Sequence, residues 1–198
     1  MRHAIVSLTL ALGSVSSAFG ADPLSNLVPE RPGAAACFQR VYDGGHLKQH
    51  PRQGTRVVLL SFQRAANDRG NIIGRISLQL RDRAEVALIG TWCDWRASGV
   101  NRGEHARRLV PSFPKDFGVQ CQALPFWSVS GEDASLFPID LDASGRSLTL
   151  YLRESVSLWT GAFTPEPPVL RLGGDDRVFR LERADAAVCA ALERAISE

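Results

Sequence analysis

Four cysteines are the feature that most constrains how this 198-residue chain can fold. Cys37, Cys93, Cys121 and Cys189 form an even set, and an even set in an exported chain is typical of disulfides rather than free thiols. Three pairings are possible, and the sequence does not decide strictly among them. We favour Cys93 with Cys121 across one loop, and Cys37 with Cys189 between the start of the domain and its last helix. Each bridge is expected to contribute roughly 3 to 5 kcal/mol by the loop-entropy model.

The first residues predict export. A positive start is followed by an apolar run from Ala4 to Leu12 and by small residues up to Gly20, which together are typical of a signal peptide over residues 1–20. The run is shorter than the ~20 apolar residues that a membrane-spanning helix needs, and no later segment qualifies. We therefore expect a soluble periplasmic or secreted product without a transmembrane segment.

Residues 21–36 contain three prolines and few large apolar groups, so they are expected to form an extended leader. The ordered domain is then predicted to begin at Cys37. Residues 37–198 are within the usual length of one domain, and a single disulfide-tied β domain is the expectation.

Alternating apolar residues predict antiparallel strands along most of this domain. The segment IIGRISLQL, residues 72–80, places Ile72, Ile76 and Leu78 on one face, and EVALIGTWC, residues 85–93, is expected to be the returning strand. Helical spacing appears only near the ends, in a short helix capped by Asp43 and in a C-terminal helix that carries Cys189. The pattern predicts a mainly β fold, an antiparallel β-sandwich or small β-barrel of six to eight strands with a short N-terminal helix and a C-terminal helix.

The small net charge of +2 hides a division between the two halves of the chain. Residues 31–115 contain fifteen Lys and Arg against six Asp and Glu, whereas residues 116–198 contain seven against thirteen. The small overall charge gives no general attraction to nucleic acid, and no nucleic-acid partner is expected. We expect the halves to interleave as neighbouring strands and pair their charges. The alternative is a basic face that binds an anionic glycan or lipid headgroup.

A histidine pair is the candidate metal site. His46 and His50 are four residues apart, so a helix would place both rings on one face, as in zinc sites of the H-x-x-x-H type. Leu47 stands where a zinc protease has its glutamate, and a third ligand would have to come from elsewhere. Surface or capping roles are the expected ones, and no cofactor is predicted.

A long irregular segment after the second hairpin strand is the candidate ligand-binding region. Residues 94–117 have no clean period, and such long loops are often functional. Guanidinium groups and an indole ring there could bind an anionic sugar chain. A solvated loop with tryptophans packed in the core is the competing interpretation. The candidate residues are Arg96, Arg102, Arg107, Arg108 and Trp95.

Two segments resemble a group of small exported proteobacterial proteins of unknown function. They are CFQRVYDGGHLKQHP, residues 37–51, and GGDDRVFRLERADAAVC, residues 173–189. In that group an Asp-Gly-Gly segment follows the third cysteine, whereas QALPFWSVSGED follows Cys121 here. The resemblance implies that the two ends of the domain meet, and it brings no activity, cofactor or catalytic residue.

The residues favour a protein that binds rather than catalyses. No nucleophile elbow, phosphate-binding loop or dinucleotide motif is present, and a serine or cysteine triad has no support. The leading hypothesis is a periplasmic binding or inhibitory module that acts on an envelope protein, glycan or lipid headgroup. One alternative is a metal-dependent hydrolase that uses His46 and His50, and another is a structural component of the cell envelope.

Overall fold

The structure is a computed structural model that describes residues 22–65, 72–96, 118–123, 136–160 and 167–197. Eight antiparallel strands close into a barrel, which confirms the β-barrel form of the predicted fold, and two further strands form a small sheet. The strands are β1 (Ala35–Val41), β2 (Thr55–Arg64), β3 (Ile72–Leu80), β4 (Val86–Arg96), β5 (Gly118–Ala123), β6 (Leu136–Leu141), β7 (Ser147–Tyr151), β8 (Ser155–Ser157), β9 (Val169–Arg171) and β10 (Val178–Ala184). The helices are α1 (Pro23–Leu27), α2 (Gly44–Gln49) and α3 (Ala186–Ser197), with a 3-10 turn at Gly174–Asp176.

The interior of the barrel is a packed hydrophobic core. Successive side chains of a strand point to opposite faces, so every second residue of β3, from Ile72 to Leu78, lies inside as the alternation predicts. Four phenylalanines from four strands fill the centre and are fully buried, each stabilising the fold by about 1.5 to 3 kcal/mol. They are Phe38, Phe62, Phe137 and Phe179. A small eight-stranded barrel is filled by its own side chains in this way.

The α1 helix covers one end of the barrel, which we call the α1 end. Leu24, Leu27 and Val28 are buried in the core, and the guanidinium of Arg64 donates to the carbonyl of Val28 at 2.8 Å. This corrects the extended leader expected for residues 21–36 and the start of order expected at Cys37. The helix begins at Pro23 with Asp22 as its cap. Its apolar residues are spaced three and four apart, as in a helix, but the three prolines of the segment favoured the prediction of an extended chain.

The opposite end, where α2 lies, is covered in part by the β8–β9 hairpin. Val156, Leu170 and Leu172 of this hairpin and its flanks are buried in the same core cluster. The backbone N–H of Trp159 donates to the carbonyl of Leu88 in β4 at 2.7 Å, which fixes the hairpin to the barrel. Both ends of the barrel are therefore covered by apolar side chains.

Both favoured disulfides are present. Cys37 in β1 is bonded to Cys189 in α3, so the C-terminal helix is tied to the outside of the barrel at its first strand. Cys93 and Cys121 are direct cross-strand partners in β4 and β5, with their sulfurs inside the barrel. No free cysteine occurs in the described part of the chain, and two bridges indicate an oxidising environment.

The strand order overturns the expected interleaving of the two charged halves. Strands β1 to β4 are consecutive neighbours in the barrel, and β5, β6, β7 and β10 make up the rest. Among the eight barrel strands, the halves therefore pair only at two seams, β4 with β5 and β1 with β10. An up-and-down order keeps residues that are close in sequence close in space, so the basic half of the chain remains a basic half of the barrel.

Local turn chemistry follows the sequence at two places and differs at a third. Asp43 caps α2, and Gly145 has the positive φ of 66° expected in the β6–β7 hairpin. A proline within a sheet normally lies on an edge strand or at a bulge, but Pro138 lies in β6, which pairs with both β5 and β7 of the closed barrel. Pairing with β7 begins one residue later, at Ile139, so the proline lies just beyond that ladder.

The predicted signal peptide, residues 1–20, lies outside the described residues. Among the helices that the structure describes, none has both the length and the apolar character needed to cross a membrane.

Candidate functional site

The predicted ligand-binding region is described only at its base. Arg102, Arg107 and Arg108 lie outside the described residues, and Arg96 is the last residue of β4. Trp95 lies opposite Val119 of β5 and packs against the hydrophobic core, as in the competing interpretation of core-packed tryptophans. The grouping of these five residues into one site therefore lies outside the described residues and stays a prediction.

The histidine pair lies on α2, next to one surface pocket. The Asp43 carboxylate accepts a hydrogen bond of 2.7 Å from the backbone N–H of His46, and this bond is the main cause of the lowered pKa of Asp43. The helix ends at Gln49, and the N–H of its C-terminal cap, His50, donates to the carbonyl of His46. The predicted short helix and its Asp43 cap are thus confirmed.

Four side chains form a stack along this helix. The ring of His46 lies between the rings of Tyr42 and His50, with centroids 4.7 Å and 4.3 Å away and planes within 28° of parallel. The guanidinium carbon of Arg40 lies 5.1 Å from the centre of the Tyr42 ring, within range of a cation–π interaction. The stack holds Tyr42 in one orientation at the edge of the pocket.

The stacked histidines do not have the geometry of a metal site. The lone pairs of an imidazole lie in its ring plane, so nearly parallel rings direct them side by side rather than to one shared point 2.0–2.1 Å away. His46 Nε2 also donates to Gln53 Oε1 at 3.0 Å, and Gln53 Nε2 donates to the carbonyl of Thr55, which fixes the orientation of that amide. No group of three or more potential ligands occurs within the residues that the structure describes.

The pocket has a volume of about 440 Å³ and lies between α2 and the adjoining ends of β1, β2 and β3. Val41 and Leu47 provide an apolar wall, and the charged groups are two arginines and one aspartate. The residues that line it are Val41, Tyr42, Asp43, Gly44, Leu47, Arg56 and Arg81.

A β-bulge directs Arg56 into this pocket. Thr55 pairs with Leu80 and Val57 pairs with Gln79, so Arg56 is an extra residue without its own partner in β3. Thr55 and Val58 are both buried inside the barrel, and the two residues between them therefore share the outer face. Without the bulge, strict alternation would turn Arg56 towards the barrel mouth.

Arg81 also lines the pocket, and hydrogen bonds hold both its guanidinium and its backbone. Its Nη1 donates to the carbonyls of Leu47 and Gln53, each at 3.3 Å, and its backbone N–H donates to the carbonyl of Gly54 at 2.8 Å. The carboxylate of Asp176 accepts from the backbone N–H groups of Gly54 and Thr55 at 2.7 and 2.8 Å. These bonds fix the segment that leads into the bulge.

Tyr42 presents a neutral hydroxyl near neutral pH. Burial raises its pKa above the ordinary value of 10.0, and Arg40 opposes the rise. A raised pKa means that the folded state favours the protonated phenol, so the contribution to stability is complete below pH ~10 and is lost as pH rises through the folded-state pKa.

We therefore expect a Tyr42→Phe variant to lose less unfolding free energy than the wild type between about pH 9 and pH 12. Urea unfolding at a series of pH values measures the difference. The pKa of Tyr151 is also raised, by burial and then by Asp140. A Tyr151→Phe variant should therefore also lose less unfolding free energy at alkaline pH than the wild type, and the effects of the two substitutions should add in the double variant. If the unfolding free energies of Tyr42→Phe and wild type fell equally between about pH 9 and pH 12, the raised pKa of Tyr42 would be contradicted.

Sequence reasoning identified the helix and its histidines but missed the pocket. The alternation of β2 gives no sign of a bulge because TRVVLLSF is apolar almost throughout, so Arg56 has no expected face. Arg81 stood in a short turn whose position relative to α2 depends on the closure of the barrel. One signal was available, since both arginines belong to the basic half of the chain.

Fold and pocket together define a disulfide-linked antiparallel barrel with a packed interior and a basic pocket on its outer rim. Comparison with family models, with curated proteins and with solved structures finds no match for this chain.

Proposed function

We propose that the protein is an exported, periplasmic binding module without enzymatic activity, and that it binds a component of the cell envelope at the pocket beside α2. The observation that carries this proposal is the combination of a filled barrel with a preformed basic pocket outside it. Four buried phenylalanines occupy the interior, and α1 and the β8–β9 hairpin cover its two ends. A ligand is therefore expected on the rim.

The pocket residues support binding more than catalysis. Its carboxylate, Asp43, serves as the cap of α2, and its phenol, Tyr42, favours the protonated form. The two guanidinium groups act as hydrogen-bond donors rather than as bases. Such groups orient and hold an anionic molecule.

The rigidity of the site also supports a binding role. The stack holds Tyr42, backbone carbonyls hold Arg81, and a buried carboxylate holds the strand that carries Arg56. A site whose walls are fixed before binding pays less ordering entropy when the ligand arrives. Two disulfides keep this arrangement in an oxidising compartment such as the periplasm.

Photocrosslinking in the periplasm tests the proposal. A photoreactive amino acid at Val41, which is 54% exposed at the pocket, should capture an envelope protein, glycan or lipid. The matched control is the same probe at Val169, which is 58% exposed on the β8–β9 hairpin. Equal capture at both positions, or none at either together with no binding of purified protein to peptidoglycan or lipopolysaccharide fragments, would end the proposal.

A further inference from the structure

The charges that line the pocket favour an anion. Arg56 of β2 and Arg81, which directly follows β3, both line it, and Asp43 is the only acidic side chain among the described residues that line it. The Asp43 carboxylate is directed at backbone N–H groups of α2, which offset its negative charge. The pocket lies on the basic half of the barrel near its β1–β10 seam, where the carboxylate of Asp176 is already bonded to the backbone N–H groups of Gly54 and Thr55. An anionic group therefore meets an attractive potential here.

Arg56 has donors available for a ligand. Its side chain is exposed and makes no hydrogen bond or ion pair with another residue of the described ranges, although its backbone carbonyl accepts from the N–H of Tyr42 at 2.9 Å. Arg81 uses Nη1 for two long bonds to carbonyls, and its guanidinium carries further N–H donors. Two guanidinium groups on one small pocket can bind the same anion in a charge-assisted manner.

The number of donors and the shape of the pocket select among anions. A phosphate ester presents three acceptor oxygens and close to two negative charges, whereas a carboxylate presents two oxygens and one charge. Two guanidinium groups and the neutral Tyr42 hydroxyl match the charge and the three acceptor oxygens of the phosphate ester. A volume of about 440 Å³ is larger than a phosphate group alone, and the apolar wall of Val41 and Leu47 can contact the part of the molecule that carries it.

We propose that the pocket beside α2 binds the phosphate group of a phosphorylated envelope molecule, with Arg56 and Arg81 as its cationic ligands and the Tyr42 hydroxyl as a further donor. This proposal rests on the binding function argued above and names its ligand class. A phosphorylated sugar, a lipid headgroup and free phosphate share this chemistry, and the experiment below distinguishes them.

Titrations of the oxidised full-length mature protein, followed by amide NMR, test the phosphate site. The probes are inorganic phosphate, glucose 6-phosphate with glucose as its control, and phosphatidic acid vesicles with phosphatidylcholine vesicles as theirs. We expect saturable shifts confined to the amides of residues 41–47, 54–56 and 81. Tightest binding of the sugar phosphate indicates a glycan, tightest binding of the vesicles a lipid headgroup, and equal binding of inorganic phosphate the free ion; each supports a phosphate site.

Charge-neutralising variants give the decisive comparison. Arg56→Gln should weaken phosphate binding about 10-fold or more, the usual cost of losing hydrogen bonds to a charged group. Its melting temperature should stay close to that of the wild type because the exposed Arg56 side chain makes no hydrogen bond or ion pair within the described residues. The matched control is Arg83→Gln, which changes net charge equally two residues from Arg81 but outside the pocket.

Three results would overturn the phosphate site: equal affinity of Arg56→Gln and wild type, equal weakening by Arg83→Gln, or acetate that binds as tightly as phosphate at the same ionic strength. The outcome is separable from that of the proposed function. Envelope capture at Val41 with no dependence on Arg56 would retain the binding module and remove the phosphate. Phosphate binding that depends on Arg56, without envelope capture at Val41, would retain the phosphate site and remove the proposed binding of an envelope component.

Discussion

A Gly74→Ala variant is expected to lose at least about 3 kcal/mol of unfolding free energy, or to fail to fold, although the change adds a single methyl group. Gly74 lies in β3 inside the barrel, beside the Cys93–Cys121 bridge. A Cβ atom there would lie 2.7 Å from the Cys93 sulfur and closer still to the hydroxyl of Thr91. Alanine normally stabilises a strand relative to glycine, so the expected sign is opposite to that of intrinsic propensity.

The obstacles around Gly74 cannot easily move. The Thr91 hydroxyl donates to the carbonyl of Gly74 at 3.1 Å and lies 3.3 Å from the Cys93 sulfur. The sulfur itself is bonded to Cys121 across the neighbouring strands. Overpacking costs most where neighbouring atoms have no free volume or alternative rotamer. The glycine is therefore required by the position of the disulfide inside the barrel.

Urea unfolding of the oxidised protein measures the loss, and Gly44→Ala is the matched control. Gly44 is the first residue of α2, and a Cβ there meets no atom within 4 Å, so we expect a neutral or slightly stabilising change. A double-mutant cycle with Cys93→Ala and Cys121→Ala should show coupling, since removal of the sulfurs makes room for the methyl group. A Gly74→Ala protein as stable as wild type would refute the buried location of this bridge.

Local signals in the sequence identified much of the secondary structure. The period-two alternation of residues 72–80 specifies a strand with one buried face, and Asp43 specifies the start of α2 through its cap bond. The positive φ of Gly145 likewise follows from the hairpin it closes. These features depend on neighbours within a few residues, which is why the order of residues alone predicts them.

Features that depend on distant partners could not be predicted in the same way. The bulge that turns Arg56 outward arises from its register against β3, and the separation of the charged halves arises from barrel closure. The α1 helix is stable because the end of the barrel accepts Leu24 and Leu27, since five residues do not form a stable helix alone. The candidate site is built mostly from such long-range relations, so the sequence indicated its histidines but not its arginines.

Replacing both Cys37 and Cys189 with alanine is expected to cost about 5 kcal/mol of unfolding free energy. The bridge spans 152 residues, and closing so long a loop removes more entropy from the unfolded chain than closing the 28 residues between Cys93 and Cys121, for which the same model gives about 4 kcal/mol. Since domains are stable by about 5 to 15 kcal/mol, the variant should be marginal at 37 °C. Urea unfolding at 25 °C measures the loss.

The same variant should release α3 from the barrel. Beyond the bridge, the described side chains of this helix that are at least partly buried are those of Leu192, Val188 and Ala190. A helix of 12 residues is marginal in water without tertiary packing. Amide hydrogen exchange should therefore show α3 losing its protection while β1 and β2 keep theirs, because the barrel ladders do not include the helix.

The Cys93→Ala, Cys121→Ala protein is the matched control for this detachment. It removes one bridge as well, but from the barrel interior, and α3 should remain as protected as the global stability of that variant allows. Protection of α3 that is equal in the two variants would show that packing, rather than the covalent bond, holds the helix. Loss confined to the variant without the Cys37–Cys189 bridge would establish this disulfide as the clamp that joins the end of the chain to its first strand.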